Sequence, residues 1–248
     1  MDGLRVFHSG TSLTHYDRDG VPEWRLGVSG EALAFPEAIL AEIRSDYFGQ
    51  AFDRAIRARV ERGEARDGAF FGDSILAQLN GLVHPENSAT WFSLIGGHAV
   101  VNAAIAGDRI RHNLGRLWAI EPTAKLIALQ IGTNDHHPNF PNADPIETAE
   151  GIARFVAEAQ RLAPNAVILL VAIPPTTDDI WSPKNQVTNE LIAKIADGDR
   201  VRFTDPSSLS LVDMSDPSHT PDGVHFLPPA AALWYGALTP IFAEILSE

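Results

Sequence analysis

From about residue 66 onward, short apolar runs alternate with longer stretches in which apolar residues recur at helical spacing. The apolar runs, which predict strands, are residues 69–71, 98–101, 126–131, 166–173 and 201–203. The clearest helical stretches are residues 145–162, 184–196 and 228–246. Near-continuous apolar strands that alternate with helices are typical of a parallel sheet covered on both faces. The pattern therefore predicts an α/β fold.

Residues 1 to about 65 lack this alternation and form a predicted N-terminal extension of short apolar patches, turns and one helix. The helix is predicted from Pro36 to about Arg62, and its apolar stripe consists of Leu40, Ile43, Tyr47, Phe52, Ile56 and Val60. A helix with one apolar stripe must bury it. We expect packing on the chain's own main domain, residues 66–248, with a homo-oligomer contact as the alternative.

The charge and composition of the chain exclude several classes of function. The 248 residues include 32 acidic and 19 basic side chains, for a formal net charge of -13. Such a surface repels nucleic-acid backbones and anionic lipids, so we expect neither as a partner. The chain has no cysteine, which excludes disulfides, thiolate metal sites and a cysteine nucleophile. The N-terminal residues do not resemble a signal peptide, and we expect a cytoplasmic protein.

Polar residues with catalytic chemistry follow the predicted strands. In parallel α/β folds, ligands bind beyond the carboxyl ends of the strands. Three such segments follow the first three predicted strands and a fourth precedes the last helix; they are residues 72–74, 102–108, 132–135 and 222–225. We therefore expect these four segments to meet at one edge of the sheet.

Ser74, His225 and Asp222 have the side chains of a nucleophile, a general base and an orienting acid. Serine is a weak nucleophile until a base takes its proton, and histidine suits that role near neutral pH. Asp222 and His225 are three residues apart. One helical turn would place them on the same side. The sequence thus predicts a Ser–His–Asp triad.

Three donors could stabilise the oxyanion of such a reaction: the Ser74 N–H at a helix start, the Gly107 N–H and the Asn134 amide. Taken singly, each residue has an ordinary alternative. Ser74 could be a helix cap, Asn134 a turn cap, Gly107 a tight-turn residue and His225 a structural histidine. Their combination, in order and each after its strand, favours catalysis.

These segments resemble the four motif blocks of the SGNH hydrolases, also called GDSL-type. Gly72-Asp73-Ser74 is similar to the nucleophile block, and Gly107 lies in a segment similar to the second block. Gly132-Thr133-Asn134-Asp135 is similar to the third block, and Asp222-Gly223-Val224-His225 to the last, Asp-x-x-His. One departure is Phe226-Leu227-Pro228-Pro229, where many members begin a helix with Gly-Tyr.

The resemblance spans roughly residues 66–248 and implies a flavodoxin-like three-layer sandwich with a five-stranded parallel sheet. It also implies esterase, lipase, thioesterase or carbohydrate deacetylase activity, with no metal or other cofactor. In the family, the residues that correspond to Gly107 and Asn134 are oxyanion donors. The first 65 or so residues match no part of the minimal family domain.

Four further residues are candidates for supporting roles. Asp73 and Asn102 are expected to brace the loops of the site. His136 is expected in a solvent-facing loop or in contact with substrate. Trp181 either borders the pocket as an apolar or sugar-stacking wall, or packs between loop and core. Neither His136 nor the other histidines have the spacing of metal ligands.

The leading functional hypothesis is hydrolysis of a small O-acyl ester with a short acyl group, such as acetyl on a carbohydrate. The absence of a long hydrophobic lid segment argues against long-chain lipids. Two alternatives use the same fold: an acyltransferase in which an alcohol replaces water, and a catalytically idle binding domain. The intact set of motif residues counts against the idle domain.

Overall fold

Five apolar segments form one parallel sheet in the computed structural model, which describes residues 46–81, 84–137 and 143–248. The strands are β1 Gly68–Gly72, β2 Val100–Asn102, β3 Leu126–Gln130, β4 Val167–Val171 and β5 Val201–Thr204. Their order in the sheet is β2-β1-β3-β4-β5, and every neighbouring pair is parallel. This is the flavodoxin-like strand order. The expected five-stranded parallel sheet is therefore confirmed.

Helices cover both faces of the sheet. They are α1 Tyr47–Glu61, α2 Ser74–Ala77, α3 Asn87–Ile95, α4 Ile110–Gly115, α5 Pro145–Leu162, α6 Trp181–Ala193, α7 Pro228–Gly236 and α8 Thr239–Ser247. Successive side chains of a strand point to opposite faces. In β1, Phe71 joins the core beneath α1, α4, α5 and α6, whereas Phe70 joins the core beneath α2, α3, α7 and α8. The three-layer sandwich follows from this alternation.

Helix boundaries differ from the predictions where proline lies near a helix start. The single helix predicted over residues 228–246 is wrong, since α7 and α8 are separate and meet at 45°. Pro240 lies in the first turn of α8 and lacks the N–H that would continue α7. No single helix in the described residues is long and apolar enough to span a membrane; only the bent α7–α8 pair reaches that length and composition. Helix α6 starts earlier than predicted, at Trp181, where the Asp178 carboxylate accepts the Trp181 N–H at 2.9 Å.

Helix α1 is the described part of the N-terminal extension; residues 1–45 lie outside the described residues. The Asp46 carboxylate caps it by accepting the Gly49 N–H at 2.8 Å. Ile56 is buried in the core of the main domain, and Phe52 packs against that core. Tyr47 was expected in the same stripe but is 85% exposed. The reason is geometric, because Tyr47 precedes Phe52 by five residues and lies about 140° around the helix from it.

Arg116 fastens α1 to the loop that follows β2. Its guanidinium donates to the Asp108 carboxylate at 2.5 Å, to the Ala103 carbonyl at 3.2 Å and to the Asp53 carboxylate of α1 at 3.3 Å. Asp108 is fully buried and Arg116 is 2% exposed. A buried carboxylate of this kind depends on its cation, because its own desolvation is unfavourable.

Arg116→Ala should therefore lower the free energy of unfolding by about 3–5 kcal/mol, since it leaves a buried carboxylate without its cation. Urea unfolding followed by circular dichroism measures the change. The matched control is Arg161→Ala, whose side chain is 60% exposed and pairs with Glu158 along α5. That variant should lose no more than about 0.5 kcal/mol. Equal losses in the two variants would contradict the proposed importance of the buried pair.

Candidate active site

Ser74 is the first residue of α2 and lies beyond the end of β1, with one residue between them, as the strand-edge rule predicts. The buried Asp73 caps the helix, and its carboxylate accepts the Ile75 N–H at 3.0 Å. Asn102 supports α2 from the next loop, because its amide donates to the Leu76 carbonyl at 3.1 Å. Asp73 and Asn102 thus make contacts of the bracing kind that the sequence predicted.

Hydrogen bonds connect Ser74, His225 and Asp222 in a single chain. The Nε2 of His225 lies 2.9 Å from Ser74 Oγ, and its Nδ1 lies 2.7 Å from Asp222 Oδ2. A carboxylate beside Nδ1 favours the proton on that nitrogen. The lone pair of Nε2 then faces the serine hydroxyl, which is the arrangement required of a general base.

The segment that carries Asp222 and His225 is a bent loop, so the predicted helical turn is wrong. Asp222 Oδ1 accepts the N–H groups of Val224 at 3.0 Å and of His225 at 2.8 Å, and these bonds hold the loop closed. Gly223 has a φ of 72°, which a residue with a side chain rarely adopts. Its carbonyl accepts the Thr177 N–H at 3.1 Å and ties the loop to the segment after β4.

Asp222 stays ionised beside His225. Burial alone would raise its pKa, but hydrogen bonds from the backbone and ring of His225 and from the Val224 N–H outweigh burial and lower the pKa. An ionised carboxylate can stabilise the imidazolium that forms when His225 takes the serine proton. The side chain is 51% exposed, so this effect acts through contact with His225 rather than through a buried charge.

Asn134 and Gly107, the residues predicted as oxyanion donors, lie on two different loops. Asn134 lies in a 3₁₀ turn after β3 and lines the same cleft as Ser74. Its amide donates one hydrogen to the Asp108 carbonyl at 2.9 Å, which orients the second hydrogen for a ligand. Gly107 has a φ of 81° in the turn closed by the Asp108 N–H to the Ile105 carbonyl at 3.1 Å. A glycine is needed at that φ.

The model of the GDSL-like lipase/acylhydrolase family matches residues 70–233, which include all of the residues just described. The chain belongs to this family. The comparison with curated proteins gives no significant match.

Several solved structures share the fold at low sequence identity. A GDSL-like lipase from Bacteroides thetaiotaomicron has a TM-score of 0.60 and 18% identity, and the match covers 78% of this chain and 97% of that chain. Est24, a carbohydrate acetylesterase from Sinorhizobium meliloti, has a TM-score of 0.55 and 19% identity over 71% of this chain and 97% of that chain. An aryl esterase from M. smegmatis has a TM-score of 0.53 and 16% identity over 71% and 98%.

His136 lies in the interior of this GDSL-family chain, so its expected solvent-facing position is wrong. Its ring is completely buried, with Nδ1 2.9 Å from Asn185 Oδ1 and Nε2 3.2 Å from the hydroxyls of Thr148 and Thr188. Burial lowers its pKa, so the ring is neutral near pH 7. It joins the loop after β3 to α5 and α6.

His137 takes the surface position that was expected for His136. Its ring centroid lies 4.5 Å from that of Trp181, and both residues line the cleft beside Ser74. Trp181 therefore borders the cleft, which is one of the two positions predicted for it. The side chains of consecutive residues point in different directions. The sequence contains no signal that shows which of the two histidines faces inward.

Ser74 and His225 lie between two differently lined parts of the cleft. One part, of about 560 Å³, is lined mainly by polar and aromatic side chains: Thr133, Asn134, His137, Thr177, Asp178 and Trp181. The other, of about 530 Å³, lies between α1 and α2 and is lined by Phe48, Phe52, Ala77, Gln78, Asn80 and Ala106. The sequence did not predict Phe48 and Phe52 as site residues, because only tertiary packing brings α1 to the site. Within the described ranges, no three His, Asp or Glu side chains are grouped so as to hold a metal ion.

Two carboxyl groups beneath the site are fully buried. Burial raises the pKa of Asp73 to about 7, although the hydrogen bond from the Ile75 N–H acts in the opposite direction. Burial also raises the pKa of Asp135 to about 7, against the hydrogen bond from the Ile110 N–H. In the unfolded chain both groups titrate near pH 4. Between about pH 4 and 7 the unfolded chain therefore releases protons that the folded chain keeps, and stability falls as pH rises.

Asp73→Asn should make this fall in stability less steep, because it removes one of the two buried titrating groups and keeps an oxygen that can accept the Ile75 N–H. The measurement is the free energy of unfolding in urea at pH 5, 6, 7 and 8. Asp213→Asn is the control, since hydrogen bonds from Ser215 lower the pKa of that exposed carboxyl and move its titration below this range. An unchanged slope in Asp73→Asn would contradict the raised pKa.

Proposed function

We propose that this protein is a serine esterase that hydrolyses small carboxylic esters through Ser74, His225 and Asp222. The observation that carries the proposal is the unbroken hydrogen-bonded chain from Asp222 through His225 to the Ser74 hydroxyl, at 2.7 and 2.9 Å. Membership of the GDSL-like lipase/acylhydrolase family supports the same class of reaction.

In the proposed reaction, Ser74 Oγ attacks the ester carbonyl carbon while His225 Nε2 takes the hydroxyl proton. The carbonyl oxygen becomes an oxyanion that accepts hydrogen bonds from the Ser74 N–H, the Gly107 N–H and the Asn134 amide. The C–O bond to the alcohol then breaks, and His225 returns its proton to the leaving oxygen. Water repeats these steps on the acyl-serine and releases the carboxylic acid.

The polar part of the cleft supports an alcohol portion that carries hydroxyl groups, such as a sugar. Trp181 and His137 offer two neighbouring aromatic rings, tilted by 44° to each other, and Asp178 and Thr177 border the same space. Aromatic faces with nearby polar groups suit the apolar and hydroxylated sides of a sugar ring. The similar solved structures include a carbohydrate acetylesterase, which is compatible with this alcohol class.

Ser74→Ala should abolish hydrolysis of p-nitrophenyl acetate, because the nucleophile is lost, while the far-ultraviolet circular dichroism spectrum stays unchanged. His225→Ala should lose nearly as much activity, and Asp222→Asn less than either. Ser74-independent turnover would refute the triad.

Asn134→Ala should lower kcat by about 100- to 1,000-fold, the usual loss for one oxyanion donor. Because the amide also donates to the Asp108 carbonyl, the variant needs a stability measurement beside the kinetics. A loss confined to kcat, with KM and the unfolding midpoint little changed, is the result expected of an oxyanion donor. Wild-type kcat in the variant would remove Asn134 from that role.

A further inference from the structure

The part of the cleft between α1 and α2 is built as an apolar site that ends at the nucleophile. Its volume is about 530 Å³, within the range of small-molecule pockets. Its apolar lining consists of Phe48, Phe52, Ala77 and Ala106, and its remaining lining residues are Ser74, His225, Gln78 and Asn80. A hydrocarbon chain bound there would leave water and reach Ser74 at one end.

The position of the two phenylalanines is fixed by contacts farther along α1. Ile56 is buried in the core, Asp53 accepts from Arg116 at 3.3 Å, and the Arg57 guanidinium lies 3.7 Å above the Trp118 ring. The rings of Phe48 and Phe52 are 4.5 Å apart. The anchored part of the helix thus holds this aromatic pair over the apolar space, although Phe48 itself is 47% exposed.

The two parts of the cleft differ in the half of an ester that each can accept. Both parts are lined by Ser74 and His225, as is required because the acyl chain and the leaving oxygen are both bonded to the carbonyl carbon that Ser74 attacks. A hydrocarbon acyl chain gains binding free energy when it is buried in the apolar part. A hydroxylated alcohol finds more hydrogen-bonding partners in the polar part, where Asp178 and Thr177 lie.

We infer that Phe48 and Phe52 form the acyl-chain site of this enzyme, and that its preferred esters carry an alkyl acyl group longer than acetyl. The inference rests on the proposed esterase function and names its acyl specificity. It gives α1, from the N-terminal extension, a role in substrate choice. It also replaces the short acetyl group expected from sequence with a medium-length chain.

The test compares p-nitrophenyl acetate, butyrate, hexanoate and octanoate as substrates of the wild type. Burial of one methylene improves binding about fourfold. Because Phe48 is 47% exposed, we expect a smaller gain, with kcat/KM rising about tenfold or more from acetate to hexanoate. Phe48→Ala should lose about fivefold or more on hexanoate and less than about twofold on acetate. Phe48→Asp, which places a charge in the apolar lining, should flatten the series further.

The matched control is Phe92→Ala, which removes a 67% exposed phenylalanine on α3 that lines neither part of the cleft. It should leave the chain-length series unchanged. A second series keeps the acetyl group and varies the alcohol from methyl to butyl to hexyl, with acetic acid release followed by titration. Phe48→Ala should not alter that series, because the alcohol is placed in the polar part.

The outcomes separate the two proposals. Ser74-dependent hydrolysis whose acyl-length series is the same in wild type and Phe48→Ala overturns the acyl-chain site and leaves the esterase intact. A Phe48 effect on the alcohol series alone overturns the assignment of the two parts. No Ser74-dependent hydrolysis of any ester overturns the esterase function itself, and the acyl-chain site with it. Unfolding curves of every variant exclude loss of folded protein as the cause.

Discussion

A buried network of hydrogen bonds behind the site holds the loops that follow β2 and β3 together, and the geometry of the candidate active site depends on it. The Asp108 carbonyl accepts from the Asn134 amide, and the Asp108 carboxylate accepts from Arg116. Asp135 in turn accepts the Ile110 N–H at 3.1 and 3.2 Å. Gly107 and Asn134 lie on different loops, so their relative position depends on these hydrogen bonds. Preorganisation of this kind is what makes oxyanion donors effective.

The carboxylates near Ser74 are divided by their environments into two kinds. Asp222 is half-exposed and hydrogen-bonded to His225, and its pKa is lowered. Asp73 is buried beside the nucleophile, and its pKa is raised. A charged group near His225 supports the imidazolium, whereas a second full charge at Asp73 would be costly in the dry interior. The site can therefore contain both carboxyls because only one of them carries a full charge near neutral pH.

The sequence was sufficient for the features that depend on local pattern and on the geometry of parallel sheets. Apolar runs predicted the strands, and the rule that ligands bind at their carboxyl ends brought Ser74, Asn134 and His225 together. Features that depend on tertiary packing were not accessible. The inward direction of His136 is set by partners on α5 and α6, and the bent loop of Asp222 by its own backbone hydrogen bonds. The break at Pro240, by contrast, had a visible signal in the sequence.

Helix α1 links the core of the domain to the proposed acyl site because its two ends contact different parts of the domain. Its middle and C-terminal part pack on the core and reach Arg116, which also holds the loop of Gly107. Its first turns carry Phe48 and Phe52 to the apolar part of the cleft. A change in the first turns would therefore alter the proposed acyl site without touching the proposed oxyanion donors. A change at the Arg116 contact would disturb both, so under these proposals acyl preference varies most freely at the first turns of the helix.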